Sequence, residues 1–193
     1  MRSDGEILEA VRQDLGLAEL LWKVCEFDLT RGDHGERVWL SSGQALEGVA
    51  GDFTGGTFFL CGERGPTRRV LYASSEGQAG LVGQTLADAL TVMIGLPSWW
   101  DCLNYSGGGD LTIMQSAAEH LQRDEANQQP ELRALRLELA TALSLDLLPV
   151  PVLLARLCDA VASTTPDFVL TAETGEYESL FGEWPPSRNP SWR

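Results

Sequence analysis

Residues 51–56, Gly-Asp-Phe-Thr-Gly-Gly, form the first stretch whose composition suggests chemistry, because glycine-rich loops can hold phosphate groups. A phosphate-binding P-loop ends in Gly-Lys-Ser/Thr and opens a helix, so that backbone N–H groups meet the anion at the helix N-terminus. This stretch has no lysine, and it precedes an apolar run typical of a strand. We therefore predict a tight turn in which the Asp52 side chain binds its own backbone. At Gly56 we expect a positive φ that a β-branched residue could not adopt.

Ser74, Ser75 and Glu76 place two hydroxyl groups beside a carboxylate. A serine nucleophile needs a base, and that base needs a third group to orient it. The chain has two histidines, His34 and His120, and neither neighbours these serines in sequence. We predict no catalytic residue and no enzymatic activity. A hydrolase remains a third alternative, since residues distant in sequence can meet in the fold.

The cysteines are widely spaced, with no C-x-x-C pair: Cys25, Cys61, Cys102 and Cys158. Each lies in an apolar run, which is typical of small buried hydrophobic residues in a reducing compartment. Metal sites usually show closely spaced ligands, and none are seen here. We therefore predict no metal and no cofactor.

Residues 97–101, Pro-Ser-Trp-Trp-Asp, are the most distinctive local feature of the chain. Ser98 and Asp101 have the spacing of a capping box, which predicts that a helix begins here. Neighbouring residues on a helix point about 100° apart, so Trp99 and Trp100 cannot both face the core. We expect one in the core and the other at the sheet edge. There it would either complete the packing or anchor a partner, since Trp is frequent among interface hot spots.

The chain is strongly acidic: 14 basic and 28 acidic residues give its 193 residues a formal net charge of −14. This charge disfavours nucleic acid and anionic membrane surfaces and suits a basic protein partner. The sequence begins with a polar segment instead of a secretory leader, and it has no apolar run of membrane-spanning length. We expect a cytoplasmic protein.

Hydrophobic periodicity predicts an α+β fold in a single domain, 1–193. Apolar residues at helical spacing over 7–22, behind a Ser3–Glu6 capping box, predict one first helix. Short β-type runs predict a small, twisted, mostly antiparallel sheet within 37–73. The sheet should pack on that helix and on a buried helix over 85–96, capped by Thr85.

Three glycines at 107–109 suggest a hinge between the segment 1–104 and a helical extension, 110–172. Asp110 and Pro130 are expected to open two helices there, and a third is predicted over 152–162. A strand over 167–171 should return to the sheet. The end of the chain, 183–193, is a proline-rich tail.

Several of these residues carry a family resemblance. Residues 51–56 and the aromatic strand after them are similar to the "GDG-S/T-GG/N" turn of the SUKH superfamily, with Phe53 in place of the usual second glycine. The stretch Leu-Tyr-x-x-x-Glu-Gly ending at Gly77 matches that family's strand and acidic turn. The helix 86–96 lies where the family has its "SFxxFL" helix, without the usual Phe. The second half of the chain, with Tyr-Glu-Ser-Leu-Phe-Gly at 177–182 near its end, is similar to an actinobacterial-type branch of these proteins.

SUKH proteins are mostly immunity proteins that neutralise secreted bacterial toxins, many of them nucleases or deaminases, and a few are cell-wall or signalling adaptors. The resemblance implies an immunity protein that occludes the active surface of a toxin, with a basic nuclease as one candidate. The alternative is a non-catalytic regulatory or scaffold adaptor. The residues expected to bind the partner are Asp52, Glu76, Trp99, Trp100 and Asp101.

Overall fold

The computed structural model describes residues 2–182 and has an α+β fold. Most helices form where the local signals place them: Thr85 caps the central helix, and Asp110 caps the first helix of the C-terminal half through the N–H groups of Thr112 and Ile113. The tail 183–193 lies outside the described residues. Within them the helices are α1 (Asp4–Gln13), α2 (Leu15–Cys25), α3 (Leu86–Gly95), α4 (Trp99–Asn104), α5 (Leu111–Gln128), α6 (Leu132–Leu143) and α7 (Val150–Ala162), with a short 3₁₀ turn at Leu29–Arg31.

The single first helix predicted over 7–22 is wrong, because the chain breaks at Asp14. This residue is extended (φ −121°, ψ 101°), and its Oδ1 accepts hydrogen bonds from the N–H groups of Gly16 and Leu17 at 3.0 and 3.1 Å. An N-cap of this kind ends α1 and starts α2. The apolar spacing runs through the break, so periodicity alone does not show it.

The strands form two sheets instead of the one predicted. The larger sheet has the order β2–β3–β4–β5–β8; all its pairings are antiparallel except β5 with β8. The smaller sheet has the order β1–β6–β7. The strands are β1 (Val38–Leu40), β2 (Leu46–Gly51), β3 (Thr57–Cys61), β4 (Arg69–Ala73), β5 (Gln78–Gly83), β6 (Leu170–Ala172), β7 (Gly175–Glu176) and β8 (Glu178–Ser179).

The strand predicted over 167–171 therefore does not return to the main sheet. It forms as β6 and pairs with β1, with Trp39 opposite Thr171. The reason is that side chains alternate across a strand, so β3 and β4 present apolar groups on both faces. Phe58 and Tyr72 pack in the main core with the helices, whereas Phe59 and Leu71 pack in a second core with Leu40, Phe168 and Leu170 of the small sheet and its approach. The small sheet covers the second apolar face.

Strand β5 is not predicted from the sequence: the predicted sheet ends at residue 73, and the next predicted element is the helix over 85–96. Its sequence, Gln-Ala-Gly-Leu-Val-Gly, contains two glycines, and glycine weakens a strand pattern. One of these glycines allows a close approach between backbones: a Cβ on Gly83 would lie 2.5 Å from the backbone N of Ala89. The end of β5 therefore packs directly against α3.

The C-terminal helices share the main core with the N-terminal half. Met114 of α5, Leu139 of α6 and Leu154 of α7 belong to the same buried cluster as Leu21 of α2 and Leu90 of α3. The glycines at 107–109 all have positive φ, from 57° to 96°, and carry the chain from α4 into α5. Because helices from both halves of the chain pack in this core, helix α3 is buried on nearly every side.

Candidate functional site

The five residues predicted to bind a partner all line one open cavity of about 590 Å³. We call it the acidic groove. Asp52 comes from the β2–β3 turn, Glu76 from the β4–β5 turn, and Trp99, Trp100 and Asp101 from α4. Another wall of the groove consists of the C-terminus of α2 and the C-terminal part of α5. The sequence did not predict that these two helix ends belong to the site. The residues of this wall include Lys23, Glu26, Leu121, Asp124, Glu125 and Gln128.

Asp52 organises the turn at one edge of the groove. Its Oδ1 accepts hydrogen bonds from Thr54 N, Thr54 Oγ1 and Gly56 N at 2.8, 2.8 and 2.9 Å. Its Oδ2 accepts one from the Tyr72 hydroxyl at 2.6 Å. The side chain binds its own backbone, as the turn pattern predicts. It is 8% exposed, so its carboxylate is a buried structural group rather than a free charge at the rim.

Gly56 is required by close packing and not by its φ angle, contrary to the prediction. The positive φ belongs to Gly55, at 91°. At Gly56 a Cβ would lie 2.2 Å from the Tyr72 hydroxyl oxygen and 2.7 Å from Asp52 Oδ2. The residue is therefore glycine because the Asp52–Tyr72 hydrogen bond passes directly beside its backbone.

Aromatic rings form the floor of the groove. Trp99 is 7% exposed and Trp100 is half-buried. Tyr72 meets Trp99 and Trp100 edge to face at centroid distances of 5.1 and 5.2 Å, and Phe58 packs on Tyr72 at 4.9 Å. Edge-to-face contacts hold each ring in a fixed orientation. All four rings line the groove, and Trp100 is the most exposed of them.

The predicted capping box at the start of α4 does not form. Ser98 has φ −86° and ψ 30°, and its side chain makes no capping hydrogen bond. An N-cap side chain reaches the helix N–H groups from an extended backbone, which Ser98 lacks. The Asp101 carboxylate is therefore not held back against the helix start.

Carboxylates surround the aromatic floor: six acidic side chains line the groove, against one cationic one, Lys23. Three of the six are engaged inside the protein. Asp52 is bound in its turn, Glu125 pairs with Arg136 at 3.3 Å, and Asp124 lies 3.3 Å from His120 Nε2. The other three, Glu26, Glu76 and Asp101, belong to no ion pair among residues 2–182.

Two of these unpaired acids are held in unfavourable surroundings. Burial raises the pKa of Asp101. Burial, and after it the nearby charge of Asp52, raises the pKa of Glu26. Glu26 also has a left-handed backbone (φ 54°, ψ 32°) at the end of α2, a conformation that non-glycine residues adopt infrequently. Asp101 is half-buried, so its charge lowers the stability of the fold at neutral pH, whereas the side chain of Glu26 is exposed and solvent screens most of this effect.

Replacing Asp101 by asparagine should therefore stabilise the protein. A raised pKa in the folded state means that stability is lost as the pH rises through that pKa, because the charged form is disfavoured by the fold. We expect the Tm of Asp101→Asn to exceed that of the unmodified protein by a few degrees at pH 7.5. The difference should disappear near pH 3, where both side chains are neutral. Thermal melts at the two pH values measure this, and a lower Tm for the variant at pH 7.5 would contradict the assignment.

The residues considered for hydrolysis are not arranged around a common centre. The Ser74 hydroxyl accepts hydrogen bonds from Glu76 N and Gln78 N, and the Ser75 hydroxyl donates to Thr54 O. Both serines therefore stabilise the turns of the groove.

His34 lies elsewhere, bound between Thr57 and Tyr177. Because the Tyr177 hydroxyl donates to Glu36 at 2.6 Å, His34 Nε2–H donates to Tyr177 at 2.9 Å, and Nδ1 accepts from Thr57 at 3.0 Å. This network joins the loop before β1 to β3 and to the residue between β7 and β8.

The thiols are free in the described part of the chain. Cys25, Cys61 and Cys102 are buried and Cys158 is half-buried. Burial raises the pKa of Cys61 and of Cys102 to about 12, so both remain protonated thiols at neutral pH. No group of three or more His, Cys, Asp or Glu side chains within 2–182 is arranged to hold a metal ion.

No protein-family model matches the chain, and no curated protein or solved structure matches it either. Among the helices of residues 2–182, none has both the length and the apolar character needed to cross a membrane.

Proposed function

We propose that the protein is a cytoplasmic immunity protein that binds a basic bacterial toxin domain and occludes its active surface. The observation that carries this proposal is the acidic groove, in which six carboxylates and one lysine surround an aromatic floor. Its turns are the stretches that resemble the SUKH superfamily. The net charge of −14 extends the same electrostatic preference over the whole molecule.

The rim of the groove also offers an apolar contact. Phe53, which replaces the glycine usual in the SUKH turn, is 60% exposed and lines the groove. An exposed aromatic side chain beside unpaired acids is suited to binding a protein. The acids would accelerate encounter with a basic surface, and the aromatic groups would slow dissociation. No chemical step is required of the protein: it acts by covering the toxin.

The test is the binding kinetics with a candidate toxin domain, sought among the genes next to this one, measured over a range of salt concentrations. We expect the association rate to fall by about tenfold or more between roughly 0.05 and 0.5 M salt, with a smaller change in the dissociation rate. Cells producing the toxin should survive when this protein is produced with it. Association that does not respond to salt would contradict the electrostatic mechanism.

A matched pair of charge reversals makes the test specific to the groove. Glu76→Lys changes an exposed, unpaired acid on the rim, and Glu63→Lys makes the same change in the exposed β3–β4 loop, outside the groove lining. Only the first should slow association strongly. Asp52 is unsuitable because its reversal would break the turn. If the toxin is neither bound nor neutralised, the immunity proposal is wrong, and binding to another protein of the host would favour the adaptor.

A further inference from the structure

The acidic groove has the features of a receptor for one particular cationic side chain. Trp100 is half-buried on its floor and is held edge to face by Tyr72 at 5.2 Å and by Trp99 at 5.7 Å. A tryptophan fixed in this way offers the best aromatic surface for a cation. Because its neighbours already position the ring, little ordering is required when a ligand binds.

Three carboxylates above this floor have no ion-pair partner among the described residues. Asp101, Glu26 and Glu76 line the groove from three different elements and form no ion pair within residues 2–182. Lys23, on the α2 wall, is exposed and is one charge against several. The space between them is large enough for a side chain and the backbone that carries it, since cavities of about 300–1,000 Å³ hold small ligands.

Two arginines near the groove, Arg136 and Arg31, are already bound elsewhere. Arg136 donates to the carbonyl groups at the end of α3 and pairs with Glu125. Arg31 lies over Trp22 at 5.5 Å and pairs with Asp28 at 3.3 Å. Within residues 2–182, these two arginines are therefore not available to the groove.

We propose that the groove binds an arginine side chain of the partner protein, with its guanidinium over Trp100 and between the carboxylates of Asp101 and Glu26. This inference rests on the proposed function in one respect: it takes the occupant to be part of a protein. Arginine is favoured over lysine because a planar, weakly hydrated guanidinium stacks on an aromatic ring and presents several N–H donors to carboxylates at once. Lysine offers a compact, strongly hydrated charge.

The test uses a blocked pentapeptide, Gly-Gly-Arg-Gly-Gly, titrated into the full chain while the indole N–H signals are followed by NMR. The comparison peptides carry lysine or citrulline, the latter having nearly the shape of arginine without its charge. We expect a dissociation constant in the millimolar range for the arginine peptide and binding about tenfold weaker for citrulline. The Trp100 signal should shift most. Equal binding of citrulline, or of lysine, would overturn the proposal.

Variants separate the groove from the rest of the surface. Trp100→Leu and Asp101→Asn should each weaken arginine-peptide binding by about fivefold or more. The control is Trp39→Leu, which removes a 40% exposed tryptophan from β1, outside the groove, and should leave binding unchanged. If Trp100→Leu fails to fold, Asp101→Asn and Glu26→Gln decide the question. Unchanged binding in those variants would overturn the inference.

A failure of the arginine site can be distinguished from a failure of the proposed immunity function, because the peptide titration requires no toxin. If the adjacent toxin binds and is neutralised but the arginine peptide shifts no indole signal, the arginine site is wrong and the immunity function stands. If the peptide binds in the groove but the toxin does not, the site stands and its partner is another basic protein.

Discussion

Replacing Gly56 by valine should lower the free energy of unfolding by about 3 kcal/mol or more. The first added carbon would lie 2.2 Å from the Tyr72 hydroxyl oxygen and 2.6 Å from its Cζ. Tyr72 is 3% exposed, and its ring is held between Phe58 and Trp99. The variant must either displace this ring or open the turn. In both cases the 2.6 Å hydrogen bond to Asp52 is lost and a buried carboxylate loses a partner.

The control for this prediction is Gly65→Val, in the loop between β3 and β4. A Cβ there would have its nearest atoms at 3.8 and 3.9 Å, which are ordinary contacts. Valine is also compatible with the extended backbone preferred before a proline, here Pro66. Denaturant unfolding of both variants measures the effect. A loss below about 1 kcal/mol for Gly56→Val would show that the close approach at Tyr72 does not constrain the turn.

Replacing Arg136 by methionine should have an effect of similar size, about 3–5 kcal/mol, because it leaves a buried charge without its partner. The Arg136 guanidinium donates to Ile94 O at 2.6 Å and to Gly95 O at the end of α3, and it pairs with Glu125 of α5 at 3.3 Å. Both charged side chains are 16% exposed. Methionine keeps much of the apolar stem but leaves two helix-end carbonyl groups and a carboxylate unsatisfied.

The pH dependence identifies the cause of this loss. Burial raises the pKa of Glu125, and the Arg136 charge opposes that rise, so the pKa should rise further in the variant. A group with a raised folded-state pKa loses stability as the pH rises through that pKa. Arg136→Met should therefore be most destabilised near pH 7.5, and less so near pH 4.5.

Two further variants complete the comparison. Arg133→Met changes an exposed arginine one turn earlier on the same helix and should alter stability by less than about 0.5 kcal/mol. Adding Glu125→Gln to Arg136→Met should restore part of the lost stability by removing the unpaired charge. If the double variant is as unstable as the sum of the two single variants, the ion pair is not the source of the effect.

Arg136 also affects the groove. Glu125 lines it, and Arg136 holds that side chain while fixing the end of α3 just before Pro97 and α4. The two tryptophans follow within a few residues. The contacts of Arg136 therefore help to fix the segment that leads from α3 through Pro97 to the two tryptophans of α4.

The sequence by itself determined the parts of this protein that depend on neighbouring residues. Thr85 and Asp110 cap their helices as predicted, since an N-cap bonds to N–H groups two or three residues away. The apolar runs at β3 and β4 form strands because their β-branched and aromatic residues suit a pleated, buried surface. The Asp52 turn is local as well, because its carboxylate accepts hydrogen bonds from N–H groups two and four residues further along the chain.

Only the tertiary structure decided how those parts are assembled. The continuous apolar runs of β3 and β4 indicate two buried faces but do not show which segment covers the second face, so the small sheet built from β1 and β6 was not foreseen. Strand β5 is held by its neighbours despite its glycines. The groove brings Glu26 at the end of α2 to the same cavity as Glu125 of α5, with about a hundred residues between them. No local pattern encodes such a meeting, because packing of the helices on a shared core sets it.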